Sequence, residues 1–393
     1  MIDEYPKLWN RNYITVWIAN FLLHFSFMLL TPLLPLYLND TFGADKEAIG
    51  VVLSGYIIAA LIARLFSGYI VDNFPRKLVL LVCYFFFFLF FAGYIIAGSL
   101  TLFAIVRTLH GAPFGFVTVA SSTIAIDVLD SRRRAEGIGY YGLSNNLAMA
   151  IGPTFAIFLH QIFNSYNLLF VIALIFSAIG LGLDATIKLK TRETIERKKI
   201  SLDRFILIKG WSQGLCMVCF AFSYGILSTY LAIYGRDTLG ITTGTGTFFT
   251  LLAIGLICSR LVGSRSLRKG KIAQNATMGV LISVLGYLLF AAVPNSIGYY
   301  GAAIIIGLGN GHMYPAFQNM FINLAENSQR GTANSTILTS WDVGIGFGVL
   351  GGGFVAENFG YSSTFWIAWI GNIIGVIFFL SYARGNFIKN KLR

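Results

Sequence analysis

Long apolar runs separated by short charged breaks constrain this chain more than any single motif does. A hydrocarbon layer of about 30 Å takes roughly 20 apolar residues per helix. Lipid leaves no backbone polar group unsatisfied, so runs of that length must be helices. The runs predict twelve spans, near 12–38, 48–71, 77–98, 101–127, 135–161, 166–187, 207–234, 245–264, 271–293, 297–323, 331–356 and 361–384. With 56% apolar and 12% charged residues and a mean hydropathy of +0.71, an ordinary soluble globule is excluded. The net charge of +12 does not point to nucleic acid, because the basic residues stand in the breaks rather than on one polar face. If the amino terminus is cytoplasmic, every Lys and Arg except Lys46, Arg64, Arg107, Arg236 and Arg260 falls in a cytoplasmic segment. That bias predicts a multi-pass protein of the inner (cytoplasmic) membrane with both termini inside.

Shifting the chain against itself by 196 residues brings its halves into register. Arg64-Leu65 then meets Arg260-Leu261, Gly111 meets Gly307, Gly115 meets Gly311, Ser144 meets Ser340 and Gly152 meets Gly348. The expected fold is an all-α membrane protein with two pseudo-symmetric six-helix bundles, at 1–187 and 207–393, joined by a polar cytoplasmic linker at 188–206. Parallel repeats of this kind predict a shared cavity near the midplane and alternating access to it. No cleavable signal peptide is expected. Cys216 and Cys219 lie one turn apart in a span without a histidine or acid beside them, so they are read as packing residues. No metal site, no cofactor and no enzymatic activity are expected, since neither a zinc pair nor a set of catalytic acids is present at matching depth.

Charges at lipid depth need a partner, a wet cavity or a function. Asp342 stands near the middle of the eleventh span, ahead of a glycine row at Gly344, Gly348 and Gly352, and is the expected proton site. Arg107 and His110 share a face of the fourth span above Gly111. His24 lies with Asn20 and Thr31 in a polar stripe on the first, where a proton site and a hydrogen-bonded structural histidine are both open readings. Asn145 and Asn146, with Gln213, Tyr224, Asn310, Tyr314 and Gln318, complete a predicted substrate cavity rich in hydrogen-bonding groups but poor in fixed charge. That favours a neutral, amphipathic or weakly cationic organic substrate. The phenylalanines at 85–88, 90 and 91 cover every face of the third span and are read as lipid-facing filler.

Between the second and third spans stands Gly68-Tyr-Ile-Val-Asp72-Asn-Phe-Pro-Arg76-Lys77. It is either a positive-inside turn or a charged latch between moving parts. The break resembles the Gly-x-x-x-Asp-x-x-Gly-Arg-Lys signature of the major facilitator superfamily, with Pro75 in place of the usual glycine. Arg107, His110 and Gly111 are similar to the family's Arg-x-x-Gln-Gly pattern, and Gly139, Gly152 and Pro153 match its antiporter helix, where Ala148 and Ala156 replace glycines. The resemblance covers nearly the whole chain and is to twelve-helix drug and metabolite exporters driven by proton antiport. It implies a latch of Gly68, Asp72, Arg76 and Lys77 with Asp127, and a coupling role for Arg107.

The expected protein is therefore a secondary transporter, a monomer in the lipid bilayer, exporting a small organic compound against protons. Asp342 would be assisted by His24 or by the Arg107 and His110 site. The alternative is a proton-coupled symporter importing a sugar or organic acid. A non-transporting receptor would be expected to carry a sizeable soluble domain.

Overall fold

The computed structural model describes residues 7–31, 33–44, 46–189, 205–241 and 245–392. Among the described residues the chain is helical throughout: α1 (Arg11–Leu30), α2 (Leu34–Phe42), α3 (Lys46–Asn73), α4 (Arg76–Ile96), α5 (Leu100–Asp127), α6 (Arg134–Phe163) and α7 (Tyr166–Ala185) form the first half. The second contains α8 (Trp211–Leu239), α9 (Thr245–Arg268), α10 (Ile272–Ala292), α11 (Ser296–Leu324), α12 (Arg330–Phe378) and α13 (Arg384–Asn390). Side chains satisfy free backbone N–H groups at the helix starts. Asn10 accepts from the Tyr13 N–H, Ser99 from that of Leu102, Ser165 from that of Leu168 and Asn295 from that of Gly298.

Two expectations need correction. The predicted first span, 12–38, is two helices: α1 stops at Leu30 and α2 restarts at Leu34 with Pro35 in its first turn, where the proline has no N–H to give the hydrogen-bond ladder. The last two predicted spans, 331–356 and 361–384, correspond to the two helical segments of α12, which meet at Gly360, where φ is 81° and only glycine is at ease. Beyond α12 a wide turn over Phe379–Ala383 carries the helix on into α13, past the predicted end at 384. Among the described residues eleven segments are long and apolar enough to cross a membrane. α11 is not among them although it has 29 residues, since Asn310, His312, Gln318 and Asn319 interrupt its apolar run; all four are buried.

Contacts group Met1–Gly137 with Ser144–Phe205 in one unit, and Ile138–Leu143 with Ile206–Arg393 in the other. Residues 190–204 of the predicted linker lie outside the described residues. In the first unit α3 packs on α5, α1 on α7, and α4 on both α5 and α7. In the second, α9 and α10 pack on α11 and α8 packs on α12.

The sequence repeat reappears in these seams. A Cβ at Gly111 would strike the Tyr56 carbonyl oxygen, and one at Gly307 would strike that of Leu252. One turn on, a Cβ at Gly115 would lie 2.6 Å from the Ala60 oxygen, and one at Gly311 would lie 2.7 Å from that of Leu256. Each of these residues has its counterpart 196 positions away. Bare glycine backbone lets the two helices of each seam touch, which drives helix association where lipid supplies no hydrophobic force. Ile57, Ile58, Ile62, Leu78 and Val82 stay exposed, as side chains facing acyl tails should.

Candidate functional site

At the α3–α4 junction the predicted latch residues converge. Asn73 ends α3 and Arg76 opens α4, so only Phe74 and Pro75 separate them, and Pro75 sets the fixed φ that starts the new helix. Arg76 Nη2 donates to Asp72 Oδ1 at 2.9 Å, Nη1 donates to Asp127 at the end of α5, and Nε reaches the Val71 carbonyl at 3.4 Å. Asp72 and Arg76 are buried, which makes the pair strong and costly to break. Lys77 donates to the Ile187 carbonyl at 2.8 Å, and Gly68 lies one turn before Asp72 on α3.

Nearer the other end of the first unit, Arg107 and His110 share one hydroxyl. Arg107 Nη1 donates to Tyr94 Oη at 3.1 Å, and that oxygen lies 2.6 Å from His110 Nδ1. A guanidinium only donates, so the tyrosine proton is directed to the histidine and Nδ1 is the acceptor. Aromatic rings enclose the guanidinium, whose carbon lies 4.1 Å from the Tyr56 centroid and 5.6 Å from that of Phe27. Such cation–π contacts replace part of the lost hydration. The reading of the phenylalanine run is corrected here: Phe85 and Phe86 are exposed, whereas Phe87 and Phe91 are buried and pack on His110 at 4.7 and 4.9 Å between centroids.

The α1 stripe is bonded to α6 and to its own backbone. Asn20 Nδ2 donates to Ser144 Oγ at 2.7 Å and also to Asn145 Oδ1, and His24 Nδ1 meets the Asn20 carbonyl at 3.0 Å. Thr31 is exposed and returns its hydroxyl to the Phe27 carbonyl. Asn146 is buried with its side-chain nitrogen unpartnered. On α6, Gly152 admits the backbone of Met28 and Leu29 ahead of Pro153. Gly139 falls in the stretch grouped with the second unit, where Arg260 donates to its carbonyl at 2.9 Å.

In the second unit Trp341 lies between Tyr224 and Tyr314, at 5.5 and 5.4 Å, beside the half-buried Asp342. Gln318 donates to Asn334, and Asn310 receives the Ser283 hydroxyl, which also points to Asn372. Gln213 stands apart from this set. It is fully buried, its amide nitrogen is bonded to the Ala383 carbonyl at 3.0 Å and its oxygen to Ser212, so it serves as a packing clamp between α8 and the chain end. Among the described residues no group of His, Cys, Asp and Glu has the spacing to hold a metal ion.

Sequence reasoning passed over Tyr56, Tyr94 and Asp184. The two tyrosines read as ordinary span aromatics, and only tertiary structure puts them against Arg107. Asp184 is 1% exposed in the last turn of α7, and among the described residues neither carboxylate oxygen has a hydrogen-bond partner. Its place at the end of a predicted span reads as headgroup-level polarity in the sequence.

Two like-packed helical units, an ion-paired break between the second and third spans and buried polar groups at lipid depth define a polytopic membrane transporter. The chain belongs to the Major Facilitator Superfamily, whose family model matches residues 16–349 and 276–390. It is similar to the staphylopine export protein of Staphylococcus aureus, at 24% identity over 91% of this chain and 91% of that protein. It is also similar to the multidrug resistance protein MdtG of Proteus mirabilis, at 25% identity over 91% of this chain and 92% of that one. Among solved structures, the human organic anion transporter MFSD10 superposes with a TM-score of 0.80 at 16% identity, covering 95% of this chain and all of that one. FucP in its outward conformation follows at 0.79 and 15% identity, covering 93% of this chain and 97% of that one.

Proposed function

We propose that this protein exports a small organic compound from the cytoplasm in exchange for protons, as an inner-membrane monomer with both termini inside. The observation that carries this reading is similarity over about nine-tenths of the chain to bacterial proteins named for export and multidrug resistance. The Gly152-Pro153 step on α6 supports the outward direction. In this reading Asp342, half-buried beside Trp341, binds and releases the coupling proton. Substrate and proton then compete for one state, and protonation shifts the balance between inward- and outward-open forms. The Arg76 ion pairs with Asp72 and Asp127 hold one of those forms and part in the other.

Reconstituted vesicles carrying a pH-sensitive dye test the proposal. Adding a transported compound from a drug and metabolite panel to vesicles with an imposed proton gradient should release protons down that gradient, and Asp342→Asn should abolish the signal. A gradient that drives uptake in the same direction as the proton would mean symport. Intact exchange in Asp342→Asn would move the proton site elsewhere.

A further inference from the structure

The Arg107 cluster is supplied with more donors than its surroundings use. Arg107 is 4% exposed and, among the described residues, donates one hydrogen bond and leaves Nε without a partner. The hydroxyl of Tyr56, whose ring lies under that guanidinium, is buried and unpartnered as well. A second buried cation, Arg64, stands over Phe114 at 5.6 Å. No Asp or Glu occurs at 5–39, 48–71, 73–126 or 137–183, so the sequence gives these spans no acid at mid-depth. No carboxylate of the described residues pairs with Arg107.

The fold itself does not require this arrangement. At the repeat positions of Arg107, His110, Tyr94 and Tyr56 the second unit has Ala303, Ile306, Phe290 and Leu252, all buried and apolar, in the same α9–α11 and α10–α11 seams. A duplicated bundle that packs with alanine at this place has no structural need of an arginine there. An unpaired guanidinium at lipid depth is costly, and a cost that one half avoids and the other keeps points to a ligand.

We propose that Arg107 and Tyr56 hold the carboxylate of the transported compound, which makes the substrate an organic anion with an aromatic or apolar body. The inference rests on the export reading and replaces the neutral substrate expected from the low density of charge. Arg107 supplies the cation, Tyr56 an O–H donor, and Tyr94 with His110 positions the guanidinium. Phe27, Tyr56 and Phe114, packed together with ring centroids 5.0 to 5.6 Å apart, offer the apolar wall.

The test is calorimetric binding of 1-naphthoate and its neutral amide to the purified full chain in detergent, where no gradient is present. The carboxylate is expected to bind roughly ten- to a hundredfold more tightly than the amide, the scale of one or two charge-assisted hydrogen bonds. Arg107→Gln should erase that preference, Arg107→Lys should restore part of it, and Tyr56→Phe, which keeps the ring, should weaken carboxylate binding severalfold. Equal binding of acid and amide, no binding of either, or a preference that survives Arg107→Gln overturns the inference. A protein that prefers the carboxylate but drives no proton-linked export of it in vesicles keeps this site and loses the export reading instead.

Discussion

Arg76, the first residue of α4, closes on Asp127, the last residue of α5 and 51 positions further along the chain, while its other terminal nitrogen holds Asp72 at 2.9 Å. One guanidinium thus ties the α3–α4 break to the C-terminal end of α5. Breaking a buried pair by removing one partner costs on the order of 3–5 kcal/mol, because the other charge is left uncompensated. Arg76→Gln is therefore expected to lower the thermal unfolding temperature in detergent more than Asp127→Asn, which leaves the Asp72 pair in place. Asp72→Asn should slow substrate exchange in vesicles while equilibrium binding persists. Loss of binding in that variant would mean the ion pairs shape the binding site rather than the cycle.

The helix seams make a paired prediction. Gly111→Ala and Gly307→Ala each drive a methyl into a backbone carbonyl, of Tyr56 and Leu252 respectively, and backbone cannot step aside as a side chain can. Overpacking of this kind costs about 1–3 kcal/mol. Gly182→Ala, in a helix with nothing within 4 Å of the added methyl, serves as the control and should be neutral or stabilising by up to about 1 kcal/mol. Equal effects at all three positions, read by thermal unfolding, would mean the seams are looser than their carbonyl contacts indicate.

How much of this was legible beforehand depends on range. The spans, the repeat and the family could be read because hydrocarbon thickness and the glycine seams act on consecutive or periodic residues, as Gly111 and Gly115 do. The convergence of Asp72, Arg76 and Asp127 followed from motif resemblance, since only Asp72 and Arg76 are neighbours in sequence. Composition treated Gln213 as a cavity residue, but its amide is spent on the Ala383 carbonyl 170 positions away. Phe87 and Phe91 looked like Phe85 and Phe86 in a run without periodicity, and only the packing of α4 on α5 separates the buried pair from the lipid-facing one.

Tyr94→Phe probes the shared hydroxyl. Phe290 stands at the repeat position, so the ring alone suits the seam. Removing the oxygen strips an acceptor from Arg107 and a donor from His110, both buried, at a cost of about 1–3 kcal/mol. The variant should fold with a lowered unfolding temperature and transport more slowly. Unchanged stability would mean that the two side chains find other partners.

Asp184 offers the opposite sign. Its carboxyl is buried with both oxygens unpartnered among the described residues, and it sits in the last turn of α7, where the helix presents its own carbonyl oxygens and an acid is least welcome. Asp184→Leu should therefore raise the unfolding free energy by about 1–3 kcal/mol, the penalty of a buried polar group without a hydrogen bond. A chain that keeps such a group at that cost is expected to use it, so the stabilised variant should also transport more slowly, the usual exchange of activity for stability at a functional site. Thermal unfolding and vesicle flux measured on the same preparation separate the two effects. A variant that is less stable would mean the carboxyl has a partner in the folded protein, and one that is more stable with unchanged flux would remove Asp184 from the transport cycle.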